Sequence, residues 1–300
     1  MCAARAELRL GIIGTDTSHA TAFTRILNDP STPDNVPGAR VVAAYKGGSP
    51  DIESSHTRVD KFAEELRTKW KVEFVSDIGA LCRKVDAVLL ESVDGRTHLE
   101  QFKQCAPAGK PIFIDKPMAA SLDDVRAIAR IAKESGVPWF SSSSLRYSEI
   151  VTSLKSNDTT GVMTWGPGPL EEHHQLDLSW YAIHPIEMLY ALMGVGCEEV
   201  TRVTTEGADM VVGRWRDGRI GTVRASRPSG DYGAVVFRAR EVAQSRPKMR
   251  VDYRPLLIEV IRFFETKQPP VPNEETLELF AFMDAAQRSK AAGGRPMRLR

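Results

Sequence analysis

Asp115 and Lys116 are the residues whose types and place in the chain most directly suggest chemistry. They follow an apolar run at residues 111–114, Pro-Ile-Phe-Ile, and precede Pro117. A short apolar run is typical of a buried parallel strand, and proline, which cannot donate to a strand ladder, predicts that the strand ends there. Lys116 is therefore expected at the carboxyl end of a central strand, the edge at which open α/β sheets bind ligands.

Two interpretations of Lys116 follow from this position. Partial desolvation at a ligand-binding edge would lower the pKa of a lysine toward the range of an acid–base catalyst. The alternative is a solvated lysine that only closes the strand, because most lysine side chains are in contact with water.

His184 is the second candidate for proton chemistry. Pro185 suits the first turn of a helix, and Gly194 suits its end. The apolar face of this predicted helix consists of Met188, Leu189 and Leu192. His184 is therefore expected at the helix entrance, where it can face a cleft and exchange protons near neutral pH. A buried capping histidine is the alternative interpretation.

A strand, a tight turn and a helix open the chain. Residues 8–14 are predicted to be a strand that ends at Gly14, and an amphipathic helix follows with Thr17 or Ser18 as its cap. This order is typical of a dinucleotide-binding βαβ unit, in which the helix N-terminus faces the pyrophosphate. The candidate cofactor-binding residues of this turn are Gly11, Gly14, Thr15, Asp16, Ser18 and His19.

The turn departs from the usual Gly-x-Gly-x-x-Gly fingerprint. When it is aligned on Gly14, the second and third glycines fall on Asp16 and His19. Asp16 would bring bulk and negative charge to the place where phosphates approach, and His19 could compensate as a donor. A structural turn that binds no nucleotide is the alternative.

The end of the second predicted strand, at residues 40–45, bears on the choice of cofactor. NAD-binding proteins carry an acidic residue there, which holds the adenosine ribose, whereas this chain has Lys46. A lysine suits the 2′-phosphate of NADP, so the predicted cofactor is NAD or NADP, with NADP favoured. Lys46 as a solvated loop residue and Asp51 as a ribose ligand are the alternatives.

The strand that ends in Asp115-Lys116-Pro117, about 100 residues after a glycine-turn strand, resembles the glucose-fructose oxidoreductase / inositol dehydrogenase (Gfo/Idh/MocA) family. In that family the motif is usually Glu-Lys-Pro, and its lysine contacts substrate and nicotinamide. The resemblance implies cofactor contacts by Asp115 and Lys116. It also implies a polar loop and a histidine beside the nicotinamide ribose, matched here by Glu91, Ser92, Asp94 and His98.

The resemblance extends to the second half of the chain. The family usually has Asp-x-x-x-His-x-x-Asp, whose first Asp and His are the acid–base pair. This chain keeps His184, has Glu187 in the last position and has Trp180 in place of the first Asp. His184 could work alone with Lys116, or Asp177 could take the missing role. The resemblance implies an NAD(P)-dependent oxidoreductase that transfers a hydride to or from a sugar, polyol or similar hydroxylated compound, with Lys116 and His184 as catalytic residues.

The expected fold is α/β in two domains. Alternating strands and helices over residues 8–140 predict a doubly wound parallel sheet, so residues 1–144 are predicted to be a Rossmann-type dinucleotide-binding domain. Residues 145–300 are predicted to be an α+β substrate and oligomerisation domain. A helix over residues 146–154 is predicted at its start, its mainly antiparallel sheet includes a hairpin at Asp217-Gly218, and two helices at 253–266 and 274–290 end the chain. One face of that sheet could pair with another subunit, which predicts a homo-oligomer.

Composition narrows the class of protein. The net charge of +1 over 300 residues argues against a nucleic-acid partner, and no apolar run reaches the length of a membrane span. Four scattered cysteines favour a reducing cytoplasm over a disulfide framework. Two other classes stay open: a non-catalytic ligand-binding protein on the same fold, and a metal-dependent isomerase or lyase. The metal ligands would come from Glu171, His173, His174, His184 and Glu187, whose spacing matches no tight signature, and we predict no metal.

Overall fold

The computed structural model describes residues 6–249 and 251–300, and the chain divides into two compact units. The first unit contains Met1–Ala119, Asp124–Ser141 and Tyr253–Val271. The second contains Ala120–Asp123, Ser142–Asp252 and Pro272–Arg300. Our predicted division after residue 144 assigned everything beyond it to one domain, whereas the first unit also includes Tyr253–Val271.

The first unit is built on a parallel sheet whose strand order is β3-β2-β1-β4-β5-β6. The strands are β1 (Leu8–Ile13), β2 (Ala39–Tyr45), β3 (Glu73–Phe74), β4 (Ala87–Leu90), β5 (Ile112–Ile114) and β6 (Trp139–Ser141). The helices are α1 (Ser18–Asn28), α2 (Glu53–His56), α3 (Val59–Trp70), α4 (Ile78–Lys84), α5 (His98–Cys105) and α6 (Leu122–Ser135). The predicted Rossmann-type parallel sheet is confirmed.

The central strands form because their apolar runs are buried on both faces. All four residues of β4 and all three of β5 are buried, as expected for strands that helices cover from both sides. Within β1, Gly11 leaves room for the side chain of Leu81 from α4. Gly11, which we predicted as a cofactor-binding residue, therefore serves helix–sheet packing.

The second unit contains a mixed sheet whose strand order is β12-β11-β7-β10-β9-β8-β13. Its strands are β7 (Thr159–Pro167), β8 (Cys197–Thr204), β9 (Ala208–Trp215), β10 (Ile220–Ser226), β11 (Gly233–Arg238), β12 (Val242–Gln244) and β13 (Met297–Arg298). Only the neighbours β7 and β10 run parallel, so the predicted mainly antiparallel sheet is confirmed. The β9–β10 hairpin turns at Asp217-Gly218 as predicted, with Gly218 at φ +87°.

Helices cover one face of this sheet. In the second unit they are α7 (Glu149–Thr152), α8 (Ile183–Met193) and α10 (Asn273–Ala291). Contacts join α8 to β7 and β10, and α10 to β8. The one helix we predicted over residues 146–154 is instead a 3₁₀ turn, Ser144–Tyr147, followed by α7. The break is at Ser148, which is extended at φ −68° and ψ 159°.

The remaining helix, α9 (Arg254–Thr266), belongs to the first unit. Its Phe263 ring meets the Phe140 ring of β6 edge-on, with centroids 4.9 Å apart. Tyr253, just before α9, makes a similar contact with His19 of α1 at 4.8 Å. None of the helices in the described part of the chain combines the length and the apolar character that a membrane span requires.

Candidate active site

Lys116 lies at the carboxyl end of β5, where the sequence placed it. The Asp115 amide still donates to the Leu90 carbonyl of β4 at 2.8 Å, so the ladder reaches the residue before the lysine. Asp115 is buried, Lys116 is half-buried, and the Lys116–Pro117 peptide bond is cis. Burial lowers the pKa of Lys116 below its usual value; the Asp115 carboxylate opposes this change and the Arg58 guanidinium adds to it.

The Asp115 carboxylate faces into the protein. Its Oδ2 accepts a 2.5 Å hydrogen bond from His19 Nδ1, and its Oδ1 accepts one from the Lys116 amide at 2.8 Å. Burial would raise the pKa of Asp115, but the charge and hydrogen bond of His19, with the Lys116 ammonium, hold it below its usual value. The pair joins the start of α1 to the end of β5. We predicted both Asp115 and His19 as cofactor ligands, whereas here the Asp115 carboxylate and the His19 ring are hydrogen-bonded to each other.

At the glycine turn, the segments that follow three strands, β1, β2 and β4, lie in contact with one another. Gly14 has φ +89°, and a Cβ there would overlap the main chain of Ser92, which follows β4. The Gly14 and Thr15 amides donate to the carbonyls of Tyr45 and Lys46 after β2, at 3.0 and 2.8 Å. These two amides are occupied, so pyrophosphate donors at this turn would have to come from the α1 N-terminus, where Ser18 is exposed.

Asp16 is fully buried and turned away from the place we predicted for it. Its Oδ2 accepts from Ser55 Oγ at 2.6 Å, and its Oδ1 accepts from the Val93 amide at 3.2 Å. Burial raises the pKa of Asp16, and these two hydrogen bonds only partly offset that change. Asp16 therefore fastens the turn to α2 and to the loop after β4, and the repulsion of phosphate that we expected from it has no basis in this geometry.

This geometry makes a prediction for Asp16→Gly. Because two loops lose their shared acceptor, we expect a loss of about 1–3 kcal/mol in unfolding free energy and no gain in cofactor affinity. Chemical denaturation and calorimetric titration with NAD and NADP would measure the two quantities. Asp77→Gly, which removes the acceptor for the Ala80 amide at the exposed start of α4, is the control. Tighter cofactor binding by Asp16→Gly would restore our original interpretation.

The loop after β4 holds the remaining candidates of the first unit. Ser92 Oγ accepts from Gln101 at 2.8 Å. His98 is fully buried, with Nε2 2.8 Å from the Ser92 carbonyl and Nδ1 3.1 Å from the Met118 carbonyl. Burial lowers the pKa of His98. His98 therefore links the segments that follow β4 and β5. Both of its ring nitrogens face main-chain carbonyls, so the cofactor contact that the resemblance implied is not available to it in this structure.

Glu91, directly after β4, differs from its neighbours. It is fully buried, and neither of its carboxyl oxygens has a hydrogen-bond partner among residues 6–249 and 251–300. Burial, together with the charge of Asp115, raises the pKa of Glu91 well above its usual value.

Arg96 is a residue that sequence reasoning missed. Its guanidinium holds buried Asp94 through Nε and Nη2, and it holds Asp51 through both terminal nitrogens at 2.8 Å. Asp94 also accepts from Ser49 at 2.6 Å. Asp51, our alternative ribose ligand, is thus tied to the loop after β4. An arginine in a loop has no diagnostic spacing, so the sequence offered no signal for this network.

The residues of this edge fit a dinucleotide. Gly14 lies where β1 meets β4, at the point where the strand order reverses and dinucleotides bind. The exposed start of α1 could serve the pyrophosphate, and half-buried Lys116 lies at the same carboxyl edge. Glu91 supplies an unpartnered buried polar group beside it.

His184 lies in the first turn of α8 in the second unit and is buried. Its Nδ1 shares a 2.6 Å hydrogen bond with Ser143 Oγ, and its ring meets Tyr181 and Tyr232 edge-on at 6.3 and 5.7 Å. Ser143 follows β6, two residues after the end of that strand. It therefore orients the imidazole, the task that a carboxylate would otherwise perform.

The carboxylates we considered as partners of His184 have other bonds. Asp177 binds Arg202 and Lys290, each at 2.7 Å. Glu187 accepts from Ser142 and Arg146 at 2.9 and 2.6 Å. Asp177 is therefore not supported as the replacement for the Asp that is missing at Trp180.

The histidines of the metal alternative are also engaged elsewhere. His173 Nδ1 lies 2.6 Å from Glu171, and His174 Nδ1 lies 3.2 Å from Ser179 Oγ. In the described part of the chain, no three His, Cys, Asp or Glu side chains are grouped as a metal site requires.

A doubly wound parallel sheet with a lysine at its ligand edge is the architecture of Rossmann-type dinucleotide-binding proteins. Residues 8–142 match the model of the oxidoreductase family with an NAD-binding Rossmann fold, GFO_IDH_MocA. The chain matches the Gfo/Idh/MocA family over these residues, and the resemblance seen in the sequence is confirmed. It is an oxidoreductase, and the predicted cofactor class, NAD or NADP, is confirmed with it.

Solved structures share the fold over the whole chain. A probable dehydrogenase from Thermotoga maritima is 22% identical with a TM-score of 0.75, over 97% of this chain and 99% of that one. Myo-inositol 2-dehydrogenase from Lactobacillus plantarum is 16% identical with a TM-score of 0.78, over 98% and 100%. Myo-inositol dehydrogenase from Lactobacillus casei, in complex with NAD(H) and myo-inositol, is 16% identical with a TM-score of 0.75, over 98% and 97%. No curated protein matches the sequence.

Proposed function

We propose that this protein transfers a hydride between NAD or NADP and a hydroxyl-bearing carbon of a sugar, a polyol or a similar small molecule. The observation that carries the proposal is Lys116, a half-buried lysine with a lowered pKa at the ligand edge of the sheet. The substrate class is supported by the similar Lactobacillus casei enzyme, which binds myo-inositol.

In this proposal Lys116 and His184 handle the proton of the substrate hydroxyl. The nicotinamide, when bound, accepts or donates the hydride. Burial stabilises the neutral amine of Lys116, which can take a proton as the alcohol is oxidised. Ser143 holds the His184 ring through Nδ1. Asp115, held by His19, keeps a negative charge beside the lysine and limits how far its pKa falls.

The test is binding followed by turnover. Nucleotide-free protein should bind NAD or NADP in calorimetric titration, and a panel of polyols and aldoses should then give cofactor reduction that is followed by absorbance. If the protein binds neither NAD nor NADP, the proposal is contradicted. Binding without turnover of any hydroxylated compound would favour the non-catalytic protein on the same fold, an alternative that the occupied amides of the glycine turn also favour.

Cofactor choice gives a further prediction. Lys46 forms an ion pair with Asp60, and about half of its side chain is exposed, so it stays within reach of a 2′-phosphate. We expect NADP to bind more tightly than NAD and Lys46→Asp to reverse the order, each preference being about tenfold, or about 1.4 kcal/mol. Lys61→Asp, an exposed lysine of α3, is the control. A wild-type preference for NAD by tenfold would show that Lys46 does not read the phosphate.

We also propose that the protein forms a homo-oligomer through the open face of the second sheet. The exposed apolar residues of this face are Val203, Val212, Ile220, Phe237 and Val242. Alternation along β9 and β10 puts Val212 and Ile220 on the side away from the buried Val211, Gly213 and Gly221. A patch of this kind marks an interaction surface.

Light scattering with size exclusion would test the oligomer. The double variant Val212→Glu, Ile220→Glu should give a monomer, because it places two charges in the apolar face, while the wild type gives a larger assembly. Ile258→Glu, an exposed apolar residue of α9, should leave the mass unchanged. A monomeric wild type would overturn the proposal. The cytoplasmic location, inferred from the scattered cysteines, stays a prediction.

A further inference from the structure

Glu91 is a buried acid that the proposed proton chemistry does not use. Its amide donates to the Ile13 carbonyl of β1 at 2.7 Å, so its backbone is fixed at the carboxyl end of β4. Its side chain is fully buried, and both oxygens lack partners among residues 6–249 and 251–300. An unsatisfied buried polar group costs about 1–3 kcal/mol, so a folded protein seldom contains one without a role.

The surroundings of Glu91 determine its chemical state. Asp115, the nearby acid, already accepts hydrogen bonds from His19 and from the Lys116 amide. Its negative charge and the burial of Glu91 both raise the pKa of Glu91 and so favour its uncharged form. An uncharged carboxyl group carries an O–H donor and a carbonyl acceptor side by side.

The position of Glu91 narrows the ligand. The strand order reverses between β1 and β4. Dinucleotides bind across such a point in doubly wound sheets, so the pyrophosphate would lie at the turn after β1. Strands β1, β2 and β3 form the half that begins with the phosphate turn, so β4 and β5 belong to the other mononucleotide half. Glu91 is thus on the nicotinamide side, together with Lys116.

We propose that the uncharged Glu91 carboxyl group pairs with the primary carboxamide of the bound nicotinamide. The Glu91 O–H would donate to the carboxamide oxygen, and the Glu91 carbonyl oxygen would accept from the carboxamide N–H. Because Glu91 is fully buried, this pairing requires its side chain to turn toward the carboxyl edge of the sheet, where half-buried Lys116 also lies, when the nicotinamide binds. This inference depends on the proposed function, because it takes the nicotinamide cofactor as the ligand.

Two substitutions and one cofactor analogue test the pairing. Glu91→Met keeps the side-chain length and removes both polar groups, whereas Glu91→Gln keeps a donor and an acceptor. The analogue is 3-acetylpyridine adenine dinucleotide, whose acetyl group keeps the oxygen and lacks the N–H. Calorimetry would measure the affinity of each protein for NAD, NADP and the analogue, and thermal denaturation would be followed without ligand.

We expect wild type to prefer NAD over the analogue by about tenfold, the value of one good hydrogen bond. Glu91→Met should lower the affinity for NAD at least tenfold and the affinity for the analogue only slightly. This variant should therefore no longer prefer NAD over the analogue. Glu91→Gln should keep most of the affinity. Without ligand, Glu91→Met should unfold at the same or a higher temperature, because the unsatisfied group is gone. Glu134→Met, an exposed glutamate of α6, should change none of these values.

The outcomes separate the two proposals. If wild type binds neither NAD nor NADP, the proposed function fails and this inference with it. If wild type binds NAD and the analogue equally well, or if Glu91→Met keeps the wild-type affinity and preference, the carboxamide pairing is wrong while the proposed function stands. If Glu91→Met does not fold, Glu91→Leu replaces it in the comparison, and equal wild-type affinities for NAD and the analogue contradict the pairing without any variant.

Discussion

Replacing either Lys116 or His184 with alanine should lower kcat by about 10²–10⁴-fold, while cofactor affinity stays within a few-fold of wild type. Each residue handles the hydroxyl proton in the proposed reaction, so its loss raises the barrier of the chemical step. Steady-state kinetics with the best substrate and calorimetry with the cofactor would measure the two effects. Lys103→Ala and His173→Ala, which remove a lysine and a histidine from exposed ion pairs, are the controls.

Two further measurements show whether Lys116 and His184 act together in one proton transfer or have separate structural roles. The double variant should be little worse than the worse single variant, because groups that act on one proton transfer are not additive. In the oxidation direction, wild-type activity should rise with pH through a step below the ordinary lysine pKa of about 10.4, because burial favours the neutral amine. That step should be absent in Lys116→Ala. Fully additive losses and an unchanged pH profile would remove Lys116 from the proton transfer.

Gly14→Ala should be the most damaging single substitution for the fold of the first unit. The residue has φ +89°, where side chains are strained, and a Cβ would overlap the Ser92 main chain. We expect a loss of at least about 3 kcal/mol in unfolding free energy, because neither β1 nor β4 can move without breaking the ladder between them. Denaturant titration followed by circular dichroism would measure it.

The chain provides a matched control for this substitution. Gly136 has a similar positive φ, +67°, but a Cβ there meets no atom within 4 Å. Gly136→Ala therefore carries the backbone strain without the overlap and should cost about 1 kcal/mol. Equal losses of unfolding free energy for the two variants would mean that backbone strain, and not the overlap with the Ser92 main chain, explains the need for glycine at residue 14.

The sequence predicted those parts of the fold that follow from local patterns. The apolar runs of β4 and β5 indicated strands buried on both faces, and Asp217-Gly218 indicated a hairpin, because each signal depends on neighbours in the chain. The helix predicted over residues 146–154 was wrong because Ser148 takes an extended conformation, which helix periodicity alone does not reveal.

The site was predicted less well, because its partners are distant in sequence. Asp16 and His19 looked like defects in a glycine fingerprint, whereas they hold Ser55 and Asp115, respectively. The partner of His184 was sought among carboxylates and is the hydroxyl of Ser143. The sequence shows which residue types follow each strand. Only the folded structure shows which of these residues form hydrogen bonds across the loops that follow different strands.

The return of α9 to the first unit affects how that unit can be made. A ribosome that has released residues 1–144 has not yet released Phe263, which meets Phe140, or Tyr253, which meets His19. The buried residues of α9 include Leu256, Leu257, Val260 and Phe264. A nascent chain therefore carries an uncovered apolar surface on its first unit until more than 250 residues have been synthesised. A fragment cut after residue 144 would keep that surface permanently and should associate or aggregate rather than behave as an independent cofactor-binding domain.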